Sequence, residues 1–298
     1  MNFLLIHIGN KKIKHLKYSL LSLIKTKNKN IYLVSSKIIY DQINNIKIKK
    51  KIKFIDISSI KKNKIHILFN QISNINKSWN DGFWNNTLER FFYLENISKK
   101  FKLKNIIHIE NDVLIFENYQ KYEKIFKKKY KIAYPLLNND LAVPSIVYFS
   151  NSNYISKLCK FINNQFTIFS RFLNLSSKLN DMKILNKFYK KNKRIIKILP
   201  TLSNEIGKKL LKKNSIFFEN FLDFNCIFDA AAIGQKIDGV DRSIHQHLKK
   251  EYINPLSIFS SKDLIIKMIK RKPFLIFNNK KIKISNLHIH SKRLWKFI

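Results

Sequence analysis

The chain has 298 residues, of which 45% are apolar, and 58 lysines and arginines against 19 acids give a formal net charge of +39. This apolar content excludes a disordered polybasic chain. Only six of the basic residues are arginine, whereas phosphate and nucleic-acid sites favour the planar arginine fork. We therefore interpret most lysines as solvent-exposed residues that reflect genome composition. Nucleic acid is disfavoured as a partner, and contact with an anionic membrane surface stays open.

Cysteine usage and hydropathy indicate the cellular compartment in which the chain is expected. Cys159 and Cys226 are far apart and form no CxxC pair, so neither zinc nor a disulfide framework is indicated. The apolar run at residues 3–8 is too short for a signal peptide, and no apolar stretch reaches the length of a membrane span. We expect a cytoplasmic protein, with peripheral attachment to the inner face of a membrane left open.

Short apolar segments alternate with helical spacing along the first half of the chain. This pattern predicts buried strands at residues 3–8, 31–35, 53–57, 106–109, 131–134 and 145–149. It predicts helices at residues 16–24 and 79–100, and Asp81 can cap the second. The alternation predicts an α/β fold whose sheet is largely parallel in the N-terminal half.

The second half is more varied. Residues 154–193 have helical spacing, with Asn180 or Asp181 as the N-cap of a helix, and residues 195–199 predict a strand. Residues 224–241 are rich in alanine, glycine and aspartate, and residues 275–298 have a strand-like pattern. With no repeat or clear linker, we predict one domain over residues 1–298. Residues 1–150 and residues 151–298 would form its two halves.

Because lysine is so common here, the acids carry more information. Glu110 and Asp112 follow the strand at 106–109 with a spacing of two, which places both carboxylates on one side of an extended chain. Ligands of open α/β sheets bind at the carboxyl ends of strands. Two hard oxygen donors at such an end suit Mg²⁺ or Mn²⁺ bridging a diphosphate. The alternative is a solvated turn that carries two acids by chance.

Three blocks of this sequence resemble glycosyltransferases of the GT-A fold. The first, His108-Ile109-Glu110-Asn111-Asp112-Val113, is similar to their DxD region, with Glu in place of the first Asp. The preceding helix, with Trp84, Thr87, Arg90 and Phe91, and the blocks at 228–241 and 286–292 are also similar to segments of such enzymes. Together they span about residues 80–292. The resemblance implies a GT-A-like (Rossmann-like), mixed, mainly parallel sheet flanked by helices. It also implies a divalent cation, a nucleotide-sugar donor and a glycan or lipid-linked acceptor. Residues 1–150 would then bind the nucleotide-sugar, and residues 151–298 would form the acceptor side and carry a C-terminal metal and phosphate segment.

The last block holds candidate metal and phosphate ligands. His288, His290 and Lys292 alternate along a predicted strand, so their side chains would project from one face. A neutral imidazole can complete a metal shell, and an ammonium can neutralise a diphosphate. We expect Glu110, Asp112, His288 and His290 around the metal, with His288 favoured over His290. The alternative is two packed or surface histidines beside an unrelated lysine.

The remaining site candidates come from the second half and from the helix before the acids. Asp181 and Asp229 are both candidates for the base that takes the acceptor proton, and the sequence does not choose between them. Arg90 needs a partner if it is buried; a phosphate, Glu110 or a structural ion pair would each serve. We assign five residues to donor binding: Arg90, Glu110, Gln235, Asp241 and Lys292.

Two other functions are weighed against a metal-dependent glycosyltransferase. A non-catalytic protein that binds nucleic acid or an anionic surface is suggested by the charge and the abundant aromatic residues. A nucleotidyltransferase is disfavoured, because the chain has five glycines and no glycine-rich phosphate loop. A degenerate transferase domain without activity also stays open.

Overall fold

A computed structural model describes residues 1–73, 75, 77, 82–170, 179–211, 215–240 and 265–298, without the side chains of 168–170. The strands of the first half are β1 (Asn2–Ile6), β2 (Ile31–Ser35), β3 (Ile52–Asp56), β4 (Lys104–Ile109), β5 (Val113–Ile115), β6 (Ile132–Pro135) and β7 (Ile146–Asn151). Those of the second half are β8 (Ile196–Leu199), β9 (Cys226–Ile227), β10 (Ile265–Ile269), β11 (Lys272–Phe277), β12 (Lys280–Ile284) and β13 (Asn286–His288).

Helices fill the connections between these strands. The described α-helices are α1 (Leu16–Lys25), α2 (Lys37–Asp41), α3 (Ile46–Lys49), α4 (Lys64–Ile72), α5 (Phe83–Lys100), α6 (Glu123–Lys129), α7 (Ser152–Ser170), α8 (Asp181–Lys191), α9 (Asn204–Leu211), α10 (Phe221–Phe224) and α11 (Ala232–Asp238). None of the described helices combines the length and the apolar character needed to cross a membrane.

The main sheet of the described residues has seven strands in the order β3-β2-β1-β4-β7-β6-β8. β7 pairs antiparallel with both of its neighbours, and every other pairing in the sheet is parallel. Six strands therefore run in one direction and β7 runs against them. The predicted mixed, mainly parallel sheet flanked by helices is confirmed.

Alternating side chains of the strands face two hydrophobic cores. In β1, Leu4 and Ile6 belong to a core shared with α5, α7 and α8, whereas Phe3 and Leu5 belong to a core shared with α1 and α6. A strand covered on both faces has no polar side to show, which is why these segments are continuous apolar runs in the sequence. The sheet is thus buried between two helical layers.

The C-terminal strands form a ribbon that returns to the main sheet. β10, β11 and β12 are antiparallel neighbours, and β12 lies parallel to β9. The β11–β12 turn is Asn278-Asn279, with φ values of 46° and 58°. Asparagine tolerates this left-handed conformation, which two-residue hairpin turns require. β13 then pairs with β5, so the end of the chain reaches the segment that follows β4.

Several predicted boundaries need correction. The helix expected from residue 79 begins at Phe83, with Gly82 as its N-cap at φ 73°, and Asp81 lies outside the described residues. The helical region expected at 154–193 contains two helices, α7 and α8, separated by residues 171–178, which the structure does not describe. The strand-like pattern of residues 275–298 holds only as far as His288, and a short 3₁₀ helix, Leu294–Phe297, follows.

Candidate active site

The candidate site lies at the carboxyl end of β4, in the middle of the main sheet. The chain leaves β1 towards β2 and β3 and returns to β4 on the other side of β1, so the sheet reverses its order between β1 and β4. Crevices at such reversals are where open α/β sheets bind ligands. The backbone N–H of Glu110 donates to the carbonyl of Ser145 at 3.2 Å, and that of Val113 donates to the carbonyl of Glu110 at 3.2 Å. This turn presents Glu110 and Asp112 at the crevice.

The C-terminal ribbon delivers a histidine to these two acids. His288 is the register partner of Val113 in the β13–β5 pair, and the N–H of Ile289 donates to the carbonyl of Asp112 at 2.9 Å. His288 Nε2 consequently lies 3.2 Å from Asp112 Oδ1 and 3.5 Å from Glu110 Oε2. One ligand atom from each of the three residues lies within 4.8 Å of the others. The predicted meeting of two early acids with a late histidine is present in the fold.

The site is buried and its charges depend on each other. Burial would raise the pKa of Asp112, but His288 and Lys292 hold that pKa well below its usual value. Burial would likewise lower the pKa of His288, yet the carboxylates of Asp112 and Glu110 raise it above its usual value. Lys292 forms an ion pair with the second oxygen of Asp112. The Asp112 carboxylate is therefore stabilised in its charged form by His288 and Lys292.

The predicted alternation of His288, His290 and Lys292 along one strand is wrong. β13 ends at His288, and the N–H of Lys292 donates to the carbonyl of Ile289 at 3.0 Å, which closes a turn with Lys292 at φ 61°. The turn still brings the ammonium of Lys292 to Asp112. His290 packs beside His288, with 4.4 Å between the ring centroids. Among the described residues, the side chains that converge as possible metal ligands are those of Glu110, Asp112 and His288, and this group does not include His290.

Arg90 connects the acids to the start of α8. Its guanidinium Nη2 lies 2.6 Å from Glu110 Oε1 and 2.8 Å from Asp181 Oδ2, and its side chain is only 10% exposed. Among the partners weighed for Arg90, the structure therefore shows Glu110, with Asp181 in addition. Asn180, and not Asp181, caps α8 through its side chain. Burial raises the pKa of Asp181 to about 6, although Arg90 acts in the opposite direction.

Asp229 is fully buried beneath the site. Its two oxygens accept backbone hydrogen bonds from Ile233 and Gly234, at the start of α11, and from His288, each at 2.9 Å. Burial raises the pKa of Asp229 to about 6, and these three amides oppose the shift. Gln235 is buried in the same helix, and Asp241 lies outside the described residues. The carboxylate of Asp229 therefore faces backbone amides.

Sequence reasoning missed a second group of polar side chains at this edge of the sheet. His7 follows β1, Ser36 follows β2 and Asn111 follows β4. Within the part of the chain that the structure describes, His7 Nε2, Ser36 Oγ and Asn111 Oδ1 are buried without a hydrogen-bond partner. Asn111 Nδ2 lies 3.4 Å from His7 Nδ1. Their position just past three strand ends was a signal that could have identified them.

The donor set fits a divalent cation. Two carboxylates and one imidazole offer the oxygen and nitrogen ligands that Mn²⁺ and Mg²⁺ accept. Glu110 Oε2 and His288 Nδ1 are buried, and neither has a hydrogen-bond partner among the described residues. Buried polar atoms are rarely left unpaired, and Glu110 Oε2 faces His288 Nε2, so this oxygen indicates a ligand.

No protein-family model and no curated protein sequence matches the chain. Its structure is similar to mouse xyloside xylosyltransferase 1 at 10% identity, with a TM-score of 0.49, over 75% of this chain and 92% of that one. It is similar to the galactosyltransferase LgtC with donor and acceptor sugar analogues at 13% identity, with a TM-score of 0.46, over 67% and 74% of the two chains.

A third similar structure is the glycosyltransferase GlyE of Streptococcus pneumoniae, at 14% identity and a TM-score of 0.42, over 72% of this chain and 51% of that one. At this distance the likeness carries no conclusion about function.

Proposed function

We propose that this chain is a metal-dependent glycosyltransferase that moves a sugar from a nucleotide-sugar donor to a glycan, lipid or protein acceptor. One observation carries the proposal: Glu110, Asp112 and His288 converge within 4.8 Å of one another at the point where the sheet reverses its strand order. Acids and a histidine at that place suit a cation that holds a diphosphate. The sequence blocks that resemble GT-A glycosyltransferases include all three residues.

Glu110, Asp112 and His288 would hold Mn²⁺ or Mg²⁺, and such a cation supplies positive charge that stabilises the departing nucleoside diphosphate. The chain adds its own cation beside this group. Lys292 already contacts Asp112, and its ammonium lies close enough to pair with a diphosphate at the same place. Arg90 holds one oxygen of Glu110, which leaves Oε2 directed towards His288.

The nucleoside would occupy the crevice beside β1, β2 and β4. Because Asn111 Nδ2 is a donor, the His7 Nδ1 next to it accepts, and the proton of the neutral ring then sits on Nε2. His7 Nε2 becomes a donor and Asn111 Oδ1 an acceptor, both buried and without a partner among the described residues. A donor beside an acceptor matches the edge of a nucleobase.

Asp181 is the candidate base for the acceptor hydroxyl, whereas Asp229 is assigned a positioning role. The Asp181 carboxylate lies across Arg90 from Glu110, at the start of a helix from the second half of the chain. Its pKa of about 6 lies close to neutral pH, where a general base is most effective. All the hydrogen bonds that the Asp229 carboxylate accepts come from backbone amides of the protein itself.

A thermal-shift screen of nucleoside diphosphates and nucleotide-sugars, with and without Mn²⁺, tests the proposal. We expect one nucleotide to raise the melting temperature only when Mn²⁺ is present, since a ligand that binds the folded state stabilises it. Asp112→Asn should abolish this dependence. Asp140→Asn is the matched control, because the Asp140 side chain is 80% exposed and pairs with Lys190 away from the site. Salt-sensitive binding of nucleic acid without any nucleotide response would instead favour the non-catalytic alternative.

A further inference from the structure

Helix α11 lies against the candidate metal-binding segment and contacts it at both ends. At the N-terminal end, Asp229 accepts from the first amides of the helix and from the backbone N–H of His288. At the C-terminal end, Asp238 accepts from Arg293 Nε at 2.9 Å and Nη2 at 2.8 Å, and from Lys296 Nζ at 2.9 Å. The hydroxyl of Ser291 also donates to Asp238.

We propose that α11 is the element that positions the segment 288–292, with Asp229 fixing His288 and Asp238 fixing the turn that carries Lys292. This inference rests on the function proposed above, since it concerns how the metal and diphosphate ligands of that site are held. Asp229 would then act through the metal ligand His288, and Asp238 would act through Lys292, the proposed diphosphate ligand. We call the contacts of Asp229 the first anchor and those of Asp238 the second anchor.

The first anchor depends on a close contact between α11 and the backbone of His288. A Cβ at Gly234 would overlap the backbone carbonyl of His288, so only glycine allows the helix to lie this close. The side chain of Asn286 adds two bonds to the backbone of Asp229, each at 3.1 Å. Ser145 Oγ donates to the carbonyl of Asp229 at 2.8 Å. The backbone of His288 is consequently fixed relative to the turn that holds Glu110, because Glu110 N–H donates to the same Ser145.

The second anchor holds a backbone conformation that a lysine does not adopt readily. Lys292 has φ 61°, a left-handed conformation that is unfavourable for a residue with a Cβ. Its neighbours Ser291 and Arg293 both donate to Asp238, whose side chain is 6% exposed. These bonds on either side of Lys292 offset the cost and direct its ammonium towards Asp112.

Binding measurements with Mn²⁺ alone and with Mn²⁺ plus UDP or GDP separate the two anchors. In Asp229→Asn we expect Mn²⁺ affinity to fall about 10- to 100-fold, the usual effect of losing a residue that orients a metal ligand. In Asp238→Asn we expect Mn²⁺ affinity to change less than about threefold and diphosphate affinity to fall about 10-fold, the cost of about one charged hydrogen bond. Asp223→Asn is the control, because Asp223 is an ion-paired acid that contacts Lys129 and Tyr130 outside the site.

A spectroscopic readout distinguishes positioning from general destabilisation. In protein labelled at the histidine rings, bound Mn²⁺ should broaden the His288 signals, which the spectrum of His288→Asn identifies. We expect this broadening to be lost in folded Asp229→Asn and kept in Asp238→Asn. If Asp229→Asn does not fold, Ser145→Ala removes only the hydroxyl bond to Asp229 and should weaken Mn²⁺ binding by about fivefold, the typical effect of one hydrogen bond.

The outcomes also separate this inference from the proposed function. If the unaltered chain binds no Mn²⁺, or if Asp112→Asn binds it equally well, the metal site itself is wrong. If Asp112→Asn loses Mn²⁺ while folded Asp229→Asn or Ser145→Ala binds it with unchanged affinity, the site stands and the positioning role of Asp229 is refuted. Unchanged diphosphate affinity in Asp238→Asn refutes the second anchor.

Discussion

Arg90 and Asp181 form a buried ion pair in which Nη2 donates to Oδ2 at 2.8 Å. The same nitrogen lies 2.6 Å from Glu110, so one guanidinium joins the end of β4 to the start of α8. Burial of a lone arginine or a lone aspartate would be costly, and the pairing of both offsets part of that cost. The pair also places a carboxylate whose pKa is about 6 beside the candidate metal ligands.

The first prediction concerns pH. If Asp181 takes a proton from the acceptor, it must be ionised, so activity should rise with pH through about 6. Asp181→Asn should remove this rise and lower kcat by about 10²- to 10⁴-fold, the usual contribution of a general base. Because Arg90 lowers the pKa of Asp181, Arg90→Met should shift the rise to higher pH. A pH–rate profile of each variant checks this, and an unchanged rise in Asp181→Asn would contradict it.

The second prediction concerns Lys292, whose ammonium group already contacts Asp112. Lys292 and a divalent ion would compete for this carboxylate, so Lys292→Met should strengthen the binding of Mn²⁺ alone. The same variant should weaken the binding of a nucleoside diphosphate, because its ammonium partner is lost. We expect each change to be about 10-fold, which corresponds to about 1.4 kcal/mol. Calorimetry with Mn²⁺ and then with UDP measures both; Lys127→Met, which removes a half-exposed lysine paired with Glu123, is the control. If the affinities for Mn²⁺ and for the nucleoside diphosphate changed in the same direction, competition between Lys292 and the ion would be refuted.

The third prediction concerns the nucleoside. His7→Ala should weaken nucleoside diphosphate binding by about 5- to 10-fold, as expected for one lost hydrogen bond, and should leave Mn²⁺ affinity unchanged. Burial lowers the pKa of His7 to about 4, although the backbone of Lys11 opposes the shift. The ring is therefore neutral at physiological pH, and its contribution should stay constant between pH 5.5 and 8. Titrations of the unaltered chain and of His7→Ala with a nucleoside diphosphate at several pH values check this. A contribution of His7 that disappears as the pH rises through 6.5 would show that the ring binds as a cation.

The fourth prediction concerns stability away from the site. Glu89 accepts from Lys62 Nζ at 2.8 Å and lies 2.9 Å from His66 Nε2. Burial would raise the pKa of Glu89, but His66 and Lys62 lower it to about 2. A lowered folded-state pKa gives stability that is complete above the unfolded-state pKa, near 4.5, and is lost as the pH falls towards 2.

Glu89→Gln should therefore destabilise the fold by about 1–3 kcal/mol at pH 7, because it removes a charged acceptor from a buried group. The difference from the unaltered chain should shrink as the pH falls below about 4.5. Urea unfolding at several pH values measures it. Glu123→Gln is the control; Glu123 is 29% exposed and pairs with Lys127, so its loss should cost less than about 1 kcal/mol. Equal costs in the two variants would contradict the role of burial.

Much of the fold could be predicted because the strands of the main sheet are buried on both faces. In segments such as β2, at Ile31–Ser35, every residue before the final serine is apolar or aromatic, so the sequence alone identifies them. The start of α5 was placed too early, because apolar spacing continues before Gly82 and does not mark where the backbone turns. The reversal of β7 was also beyond prediction. Strand direction depends on the path of the chain between strands, which apolar pattern does not record.

For the candidate site, the sequence could predict which residue types meet but not how each is held. Glu110 and Asp112 were found because they follow a strong strand, and His288 because its block resembles a late segment of GT-A enzymes. Lys292 was expected on an extended strand, but a turn at φ 61° carries it. Asp229 was a candidate base in the sequence and proved to be occupied by three backbone amides, a role that only the tertiary contact between α11 and β13 defines.

The pairing of β13 with β5 has a consequence for the timing of folding. The metal-ligand group joins the centre of the main sheet to a ribbon that is synthesised more than a hundred residues later. A ribosome that has completed β5 has made both carboxylates, but the imidazole that faces them does not yet exist. The ability to bind the ion is therefore among the last properties that a nascent chain acquires, and a protein cut short before His288 would be expected to accumulate without it.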